Sequence, residues 1–180
     1  MANRTCERCG AGLGFKNQHA RFCSVRCRVA AHRAAKRAPR FPAAMTSRRR
    51  WVRRETNKRP VTTSGRSASS TNAATWATFD DAAASTAGVG LGFVLGDGIG
   101  CFDLDHCLTD GRLEPWAADV LAEIQQPILF AEVSQSGTGV HVFVEAPEGP
   151  GAKIRDGRNI EFYSKDRYIA VTGEPFSLPR

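Results

Sequence analysis

The chain has 180 residues and a mass of 19.5 kDa, room for one ordinary domain and an appendage, and its 42% hydrophobic content can supply a core over part of that length. Its net charge of +7 is unevenly spread: residues 1–70 carry 18 Lys and Arg against Glu7 and Glu55, while residues 71–180 carry seven against 16 acids. This excludes a uniformly basic coat and describes a basic front joined to an acidic globule. No run of 18 apolar residues is present, which argues against a membrane-spanning helix. Met1–Gly12 lacks an apolar stretch, which argues against a secretory signal, so the expected location is cytoplasmic and no membrane partner is expected.

Outside a secretory setting the six cysteines do not read as a disulfide frame. Cys6-x2-Cys9 and Cys23-x3-Cys27 form two close pairs separated by a loop, the arrangement that tetrahedral zinc requires. Gly10 and Gly12 relax the backbone after the first pair. The second pair opens an Ala/Arg-rich helix running to Arg37, whose amide dipole favours thiolate. His19 or His32 is an alternative ligand in place of one cysteine. So short a module cannot build a sufficient core alone, and the metal supplies its folding free energy. Arg26, Arg28, Arg33, Lys36 and Arg37 crowd the helix, which suits a polyanion; the plainer alternative is a solvated basic face. Pro39 and Pro42 should end the helix.

Residues 38–50 read as a flexible basic linker ending in Arg48-Arg49-Arg50, and residues 51–75 as polar with little periodicity. Regular patterns begin after Trp76. A short helix is expected over Phe79–Ala84, and strands over Gly90–Leu95 and Gly100–Asp105 joined by a hairpin-like turn at Gly96-Asp97-Gly98. Pro115 should start a helix running to about Gln125. Ile128–Val133 and Val140–Ala146 read as strands, and Asn159–Ser164 and Tyr168–Thr172 as a last pair. The class is α+β with a mainly antiparallel or mixed sheet.

Phe102-Asp103-Leu104-Asp105-His106 carries the strongest chemical signal. On a strand, Asp103 and Asp105 share one face while Phe102 and Leu104 face the core. Two such carboxylates repel, and a hard divalent cation relieves the repulsion. Asp is a poor strand former, so a wet polar face explains the pair less well. Ser134-Gln-Ser136-Gly137-Thr138-Gly139 is a turn that can bring backbone amides to an anion, with His141 just beyond it. Asn159-Ile160-Glu161-Phe162-Tyr163 places Glu161 and Tyr163 on one face. Lys153, Arg155, Arg158, Lys165 and Arg167 surround them, which suits a triphosphate or two exposed loops. Cys101 and Cys107 read as packing residues.

The order of these motifs resembles the bifunctional primase-polymerase (prim-pol) domain of the archaeo-eukaryotic primase superfamily, as found in phages and plasmids. It runs from a Gly-rich strand through Asp-x-Asp and Ser-x-Ser-Gly-x-Gly-x-His to Glu-Phe-Tyr and Tyr-x-x-x-Thr-Gly. Upstream, Trp51, Lys58-Arg59-Pro60-Val61 and Thr75-Trp76-Ala77-Thr78-Phe79-Asp80-Asp81-Ala82 extend it. The resemblance implies a catalytic domain over residues 51–180, with a sheet like that of RNA-recognition domains, behind the zinc-binding basic module of residues 1–37. It implies catalytic Asp103, Asp105, Glu161 and His141, with the three acids holding Mg²⁺ or Mn²⁺. Ser136, Gly137 and His141 would meet nucleotide phosphates, with Arg158 and Arg167 as further phosphate partners. The implied reaction is nucleotidyl transfer from nucleoside triphosphates to a 3′-hydroxyl on a single-stranded or primed DNA template, in the host cytoplasm if phage-encoded. A replicative helicase is a further implied partner. The alternative is a nucleic-acid-binding replication accessory with a degenerate prim-pol domain.

Overall fold

The computed structural model describes residues 4–14, 16–37 and 41–179, residues 32–37 by their backbone alone. The expected end of the first helix near Pro39 and the proposed roles of His32, Arg33, Lys36 and Arg37 therefore lie outside the described residues. The chain divides into two compact units, Met1–Pro39 and Arg40–Arg180. Among the described residues no helix is long and apolar enough to cross a membrane.

In the first unit, a bridge pairs Thr5 with Gly12, and Gly10, at φ 74°, turns the chain between them. Helix α1 (Val25–Arg37) follows, with the Ser24 hydroxyl accepting from the Cys27 amide at 3.1 Å as an N-cap. Cys6 and Leu13 are the buried apolar side chains described in this unit.

The second unit begins earlier than expected. Residues 38–50 are expected to form a flexible linker, yet within the described part, 41–50, Met45 in helix α2 (Ala43–Thr46) is fully buried and its carbonyl accepts from the Trp51 indole at 3.1 Å. Phe41 stands edge-on to Trp51 at 4.8 Å and to Phe130 at 5.6 Å. Burial of these apolar groups outweighs the flanking charge. Arg48 pairs with Asp97, and Arg50 donates to the Leu95 carbonyl at 3.0 Å, so two of the three terminal arginines are tied into the fold.

All strand pairs are antiparallel. β1 (Trp51–Arg54) and β2 (Pro60–Val61), within the stretch expected to lack regular structure, join β3 (Gly90–Val94) and β11 (Tyr168–Val171) in a four-stranded sheet of order β11-β3-β1-β2. Helix α3 (Phe79–Ala84) forms where expected, with the Thr78 hydroxyl accepting from the Asp81 amide at 3.2 Å. β4 (Ile99–Asp105), β7 (Ile128–Val133), β8 (Val140–Glu145), β9 (Ala152–Ile154) and β10 (Asn159–Tyr163) make a five-stranded sheet of order β7-β8-β4-β10-β9. A small hairpin, β5 (Leu108–Thr109) and β6 (Arg112–Leu113), leads into helix α4 (Pro115–Glu123).

Two expected pairings do not form. β3 and β4 lie in different sheets, because both edges of β3 are already taken by β1 and β11. The expected hairpin-like turn at Gly96-Asp97-Gly98 does form, all at positive φ and closed by a bridge between Gly96 and Ile99, but it carries the chain from one sheet to the other. Likewise β10 is flanked by β4 and β9, so β11 crosses to the four-stranded sheet. In order of appearance, β4, α4, β7, β8 and β10 reproduce the RNA-recognition arrangement: first strand, helix, second and third strands, then a last strand beside the first. The hairpin strand β9 stands among the described residues where that arrangement has its second helix.

Two apolar clusters flank the five-stranded sheet. One combines Trp51, Leu91, Phe93 and Ile169 with Ile99, Cys101 and Phe143, and so joins the two sheets. The other sets Leu104, Val140, Val142 and Val144 under Ala117 and Leu121 of α4 and the tail residues Phe176 and Leu178.

Candidate active site and metal centre

Strand register gathers the charged residues. Asp103 of β4 stands opposite His141 of β8 on one side and Glu161 of β10 on the other. Glu132 of β7 stands opposite His141, and Lys153 of β9 opposite Glu161. Five strands thus present one transverse row, Glu132–His141–Asp103–Glu161–Lys153. Antiparallel partners project to the same face, so these side chains line up across the sheet. Further along that face the row gives way to Cys101 and Phe143 of the shared core.

Glu132 is fully buried and fully employed. One carboxylate oxygen accepts from His141 Nδ1 at 2.9 Å. The other accepts from the amides of Thr172 at 3.1 Å and Gly173 at 2.8 Å. With Nδ1 committed to Glu132, His141 turns Nε2 to the Asp103 carboxylate, 3.6 Å away. Glu132 was absent from the expected site. Its sequence signal is a lone acid inside the apolar strand Ile128–Val133.

Asp103 and Glu161 differ sharply in environment. Burial pushes the Asp103 carboxyl above the usual range, with Asp105 and Glu161 adding to the rise and His141 and Lys58 opposing it. Its Oδ1 is buried without a hydrogen-bond partner. Burial also acts to raise Glu161, but hydrogen bonds from Tyr163, Lys153 and Arg155 outweigh it and hold the carboxyl below its ordinary value. Tyr163 donates to Glu161 at 2.8 Å, and Arg167 lies 3.5 Å from the same oxygen while covering the Tyr163 ring at 4.5 Å. Asp103, Glu161, Tyr163 and Arg167 face Pro60, Ser70, Tyr168 and Ile169 across an open cleft of about 230 Å³.

Not every expected residue reaches this cleft. Asp105 lies one turn of the pleat beyond Asp103 on the same face, opposite Asn159. Ser136 and Gly137 sit in the β7–β8 turn, where Ser136 bonds the Ser134 and Thr138 hydroxyls at 3.0 and 2.9 Å, and neither lines the cleft. The turn closes on the end of β4: a Cβ on Gly139 would come within 2.8 Å of the Leu104 carbonyl. Arg158 was expected beside the phosphates, but its guanidinium is drawn to Asp156 at 2.9 Å. Burial pushes the thiols of Cys101 and Cys107 up, the latter to about 11, which suits packing rather than chemistry.

A hard divalent cation fits the donor set. Asp103 offers a buried, unpartnered oxygen whose charge is disfavoured, the kind of donor a hard cation takes, whereas Glu161 is already held by Lys153, Arg155 and Tyr163. The three acids do not bring their oxygens within 4.8 Å of one another as a set. Among the described residues the group that does meet this distance is Cys6, Cys9, Cys23 and Cys27. In that group Cys9 and Cys27 lie 3.5 and 3.8 Å from Cys23 and Cys9 respectively, with Cys23 3.5 Å from Cys27. A backbone hydrogen bond from Cys23 leads the effects that lower the Cys6 thiol to about 6, the thiolate form that metal ligation uses.

Fold and site together define an α+β domain whose five-stranded sheet carries a row of acids with His141 and Lys153, two of whose members, Asp103 and Glu161, line a cleft. The family model described as "Bifunctional DNA primase/polymerase, N-terminal" matches residues 30–177, and the chain belongs to this Prim-Pol family. The match begins inside α1, after the four cysteines. The chain is also similar to the DNA primase-polymerase of Nitratiruptor phage NrS-1, 36% identical over 138 residues. That alignment covers 70% of this chain and 19% of the phage protein, so the chain spans well under half of its relative.

Proposed function

We propose that the chain is a metal-dependent nucleotidyltransferase that acts in DNA replication as a primase-polymerase, moving nucleotides from nucleoside triphosphates to a 3′-hydroxyl on a DNA template. The observation that carries this reading is the row in which Glu161 and His141 flank Asp103 on adjacent strands. Asp103, Asp105 and Glu161 would hold Mg²⁺ or Mn²⁺. When bound, such a cation supplies Lewis-acid stabilisation of the charge developing on phosphoryl oxygens.

The chain's own groups do the rest. His141, whose Nε2 rests 3.6 Å from the Asp103 carboxylate, would offer that nitrogen to the reacting phosphate, with Glu132 fixing the ring's orientation through Nδ1. Arg167 and Lys153, which rest on Glu161, would exchange that carboxylate for phosphate oxygens. Ser136 and Gly137 would approach the nucleotide from the β7–β8 turn. Cys6, Cys9, Cys23 and Cys27 suit structural zinc, since soft thiolates in a compact group of four match its tetrahedral preference. Arg26 and Arg28 on the following helix suit template phosphates.

The direct test combines the protein with Mg²⁺ or Mn²⁺, a primed single-stranded DNA template and nucleoside triphosphates. Primer extension with stoichiometric pyrophosphate release is expected. Phosphate or monophosphate release without extension would place the chain among hydrolases. Failure to bind nucleotide by titration calorimetry would leave only a DNA-binding accessory role.

Glu132→Gln should lower turnover about 10- to 100-fold, the usual effect of loosening a group that orients a site histidine. It should also lower stability by about 1–3 kcal/mol, because the side-chain NH2 must face either the His141 Nδ1–H or the amides of Thr172 and Gly173, all of which need an acceptor. A loss of stability at unchanged turnover would mean that Glu132 serves the fold alone.

A further inference from the structure

The two arginines that end β1 meet different fates. Arg53 is satisfied: it donates to the carbonyls of Ala87 at 2.6 Å and Ala82 at 3.3 Å. Arg54 is 8% exposed, and its Nε and Nη1 are buried without any hydrogen-bond partner. Among the described residues no carboxylate forms a salt bridge with it. A buried guanidinium without a counter-charge is strongly unfavourable and persists where a ligand completes it.

Its position says which ligand. Arg54 stands opposite Pro60 in β2 and Gly90 in β3, and Tyr168 stands opposite Val94. Strand alternation therefore puts Arg54, Pro60, Gly90, Gly92 and Tyr168 on one face of the four-stranded sheet. Pro60 and Tyr168 line the cleft that holds Asp103 and Glu161. Glycine makes room for both flat groups. A Cβ on Gly90 would fall 2.7 Å from the Arg54 guanidinium, and one on Gly92 would fall 1.9 Å from the Tyr168 ring. The Tyr168 hydroxyl is buried and unpartnered as well. Burial pushes its ionisation up to about 12 even though the Arg54 charge pulls the other way, so it stays a neutral donor. The Gly-rich strand β3 thus makes room for three orphaned polar atoms on its neighbours β1 and β11, all able to donate and gathered around a positive charge.

We propose that Arg54 and the Tyr168 hydroxyl form a phosphate-binding subsite that adjoins the cleft through Tyr168 and Pro60, which line it together with Asp103 and Glu161. A guanidinium fork matches two phosphate oxygens, and a phenol supplies a third donor. The phosphate comes from the nucleoside triphosphate or from the backbone of a nucleic-acid strand. This rests on the primase-polymerase reading for the source of the phosphate.

The whole chain and its R54M, R54K and Y168F variants should be titrated with inorganic tripolyphosphate and, separately, with a short oligothymidylate. Divalent cation is omitted, so that binding reports the protein's own donors. R54M should weaken tripolyphosphate roughly tenfold or more if the nucleotide is the source, or oligothymidylate by that factor if the strand is. R54K should recover part of the loss, and Y168F should show a smaller one. Ligand-free R54M should melt at or above the wild-type temperature, because an uncompensated charge has been removed. Wild-type affinity for both probes in R54M, or in R54K should R54M not fold, overturns the subsite. A ligand-free R54M that melts far below wild type while binding both probes normally makes Arg54 structural and overturns it too. If the wild-type chain binds neither probe, the subsite falls; if it also fails to bind nucleotide with Mg²⁺, the primase-polymerase reading falls with it.

Discussion

Asp103→Asn should reduce nucleotide transfer on the order of a thousandfold or more, while the metal-free protein melts at the wild-type temperature or a few degrees above it. The first effect follows from removing the central acid of the row, which costs several kcal/mol of charge stabilisation at phosphoryl oxygens. The second follows from the electrostatics of the resting site. Burial, with help from Asp105 and Glu161, raises the Asp103 carboxyl, so the folded state favours its protonated form. The stability linked to this group is therefore fullest below the carboxyl's unfolded value and is lost as pH rises through the folded one. Above the folded value the ionised carboxylate, buried and short of hydrogen bonds, works against folding, and a neutral amide relieves that. A thermal melt in chelator, over a pH series, reads the difference: the gain in Asp103→Asn should vanish in acid. Undiminished transfer would remove Asp103 from the site. A large fall in melting temperature would make it a structural residue.

Removing metal should unfold the first unit and spare the second. Cys6 and Leu13 are the buried apolar groups described in Met1–Pro39, too little to offset the entropy of ordering the chain. Four thiolates on structural zinc would supply roughly 10–16 kcal/mol at neutral pH. Zinc analysis should give one ion per chain. A strong chelator, or Cys9→Ser with Cys27→Ser, should erase the helical signal of α1 while the sheets keep theirs. Acidification should act in the same direction, since protons compete for the thiolates. A first unit that keeps its amide dispersion without metal would overturn the zinc assignment.

Local chemistry alone determined several features. Thr78 before Phe79–Ala84 and Pro115 at the head of α4 are start signals that act within one turn, and both helices stand where those signals put them. Ile128–Val133 and Val140–Glu145 follow from alternation and composition. The same alternation placed Asp103 with Asp105, and Glu161 with Tyr163, because side-chain direction along a strand has a period of two and needs no partner. The spacing of the four cysteines likewise predicts their grouping, since each pair closes over a few residues.

What only the tertiary structure decided is which strand lies beside which. Alternation cannot report that both edges of β3 and of β10 are occupied, so the two nearest-neighbour pairings expected from sequence gave way to a crossing between sheets. The row through Asp103 depends on that choice. So does Glu132, an unremarkable acid until His141 and the amides of residues 172 and 173 close around it. Arg158 and Arg167 look alike in sequence, yet one turns to Asp156 and the other covers Tyr163. Residues 41–50 read as linker because their two apolar anchors, Phe41 and Met45, acquire a core only when Trp51 and Phe130 arrive from elsewhere in the chain. Direction along a strand is a property of the local backbone; partnership between strands is set by burial summed over the whole domain.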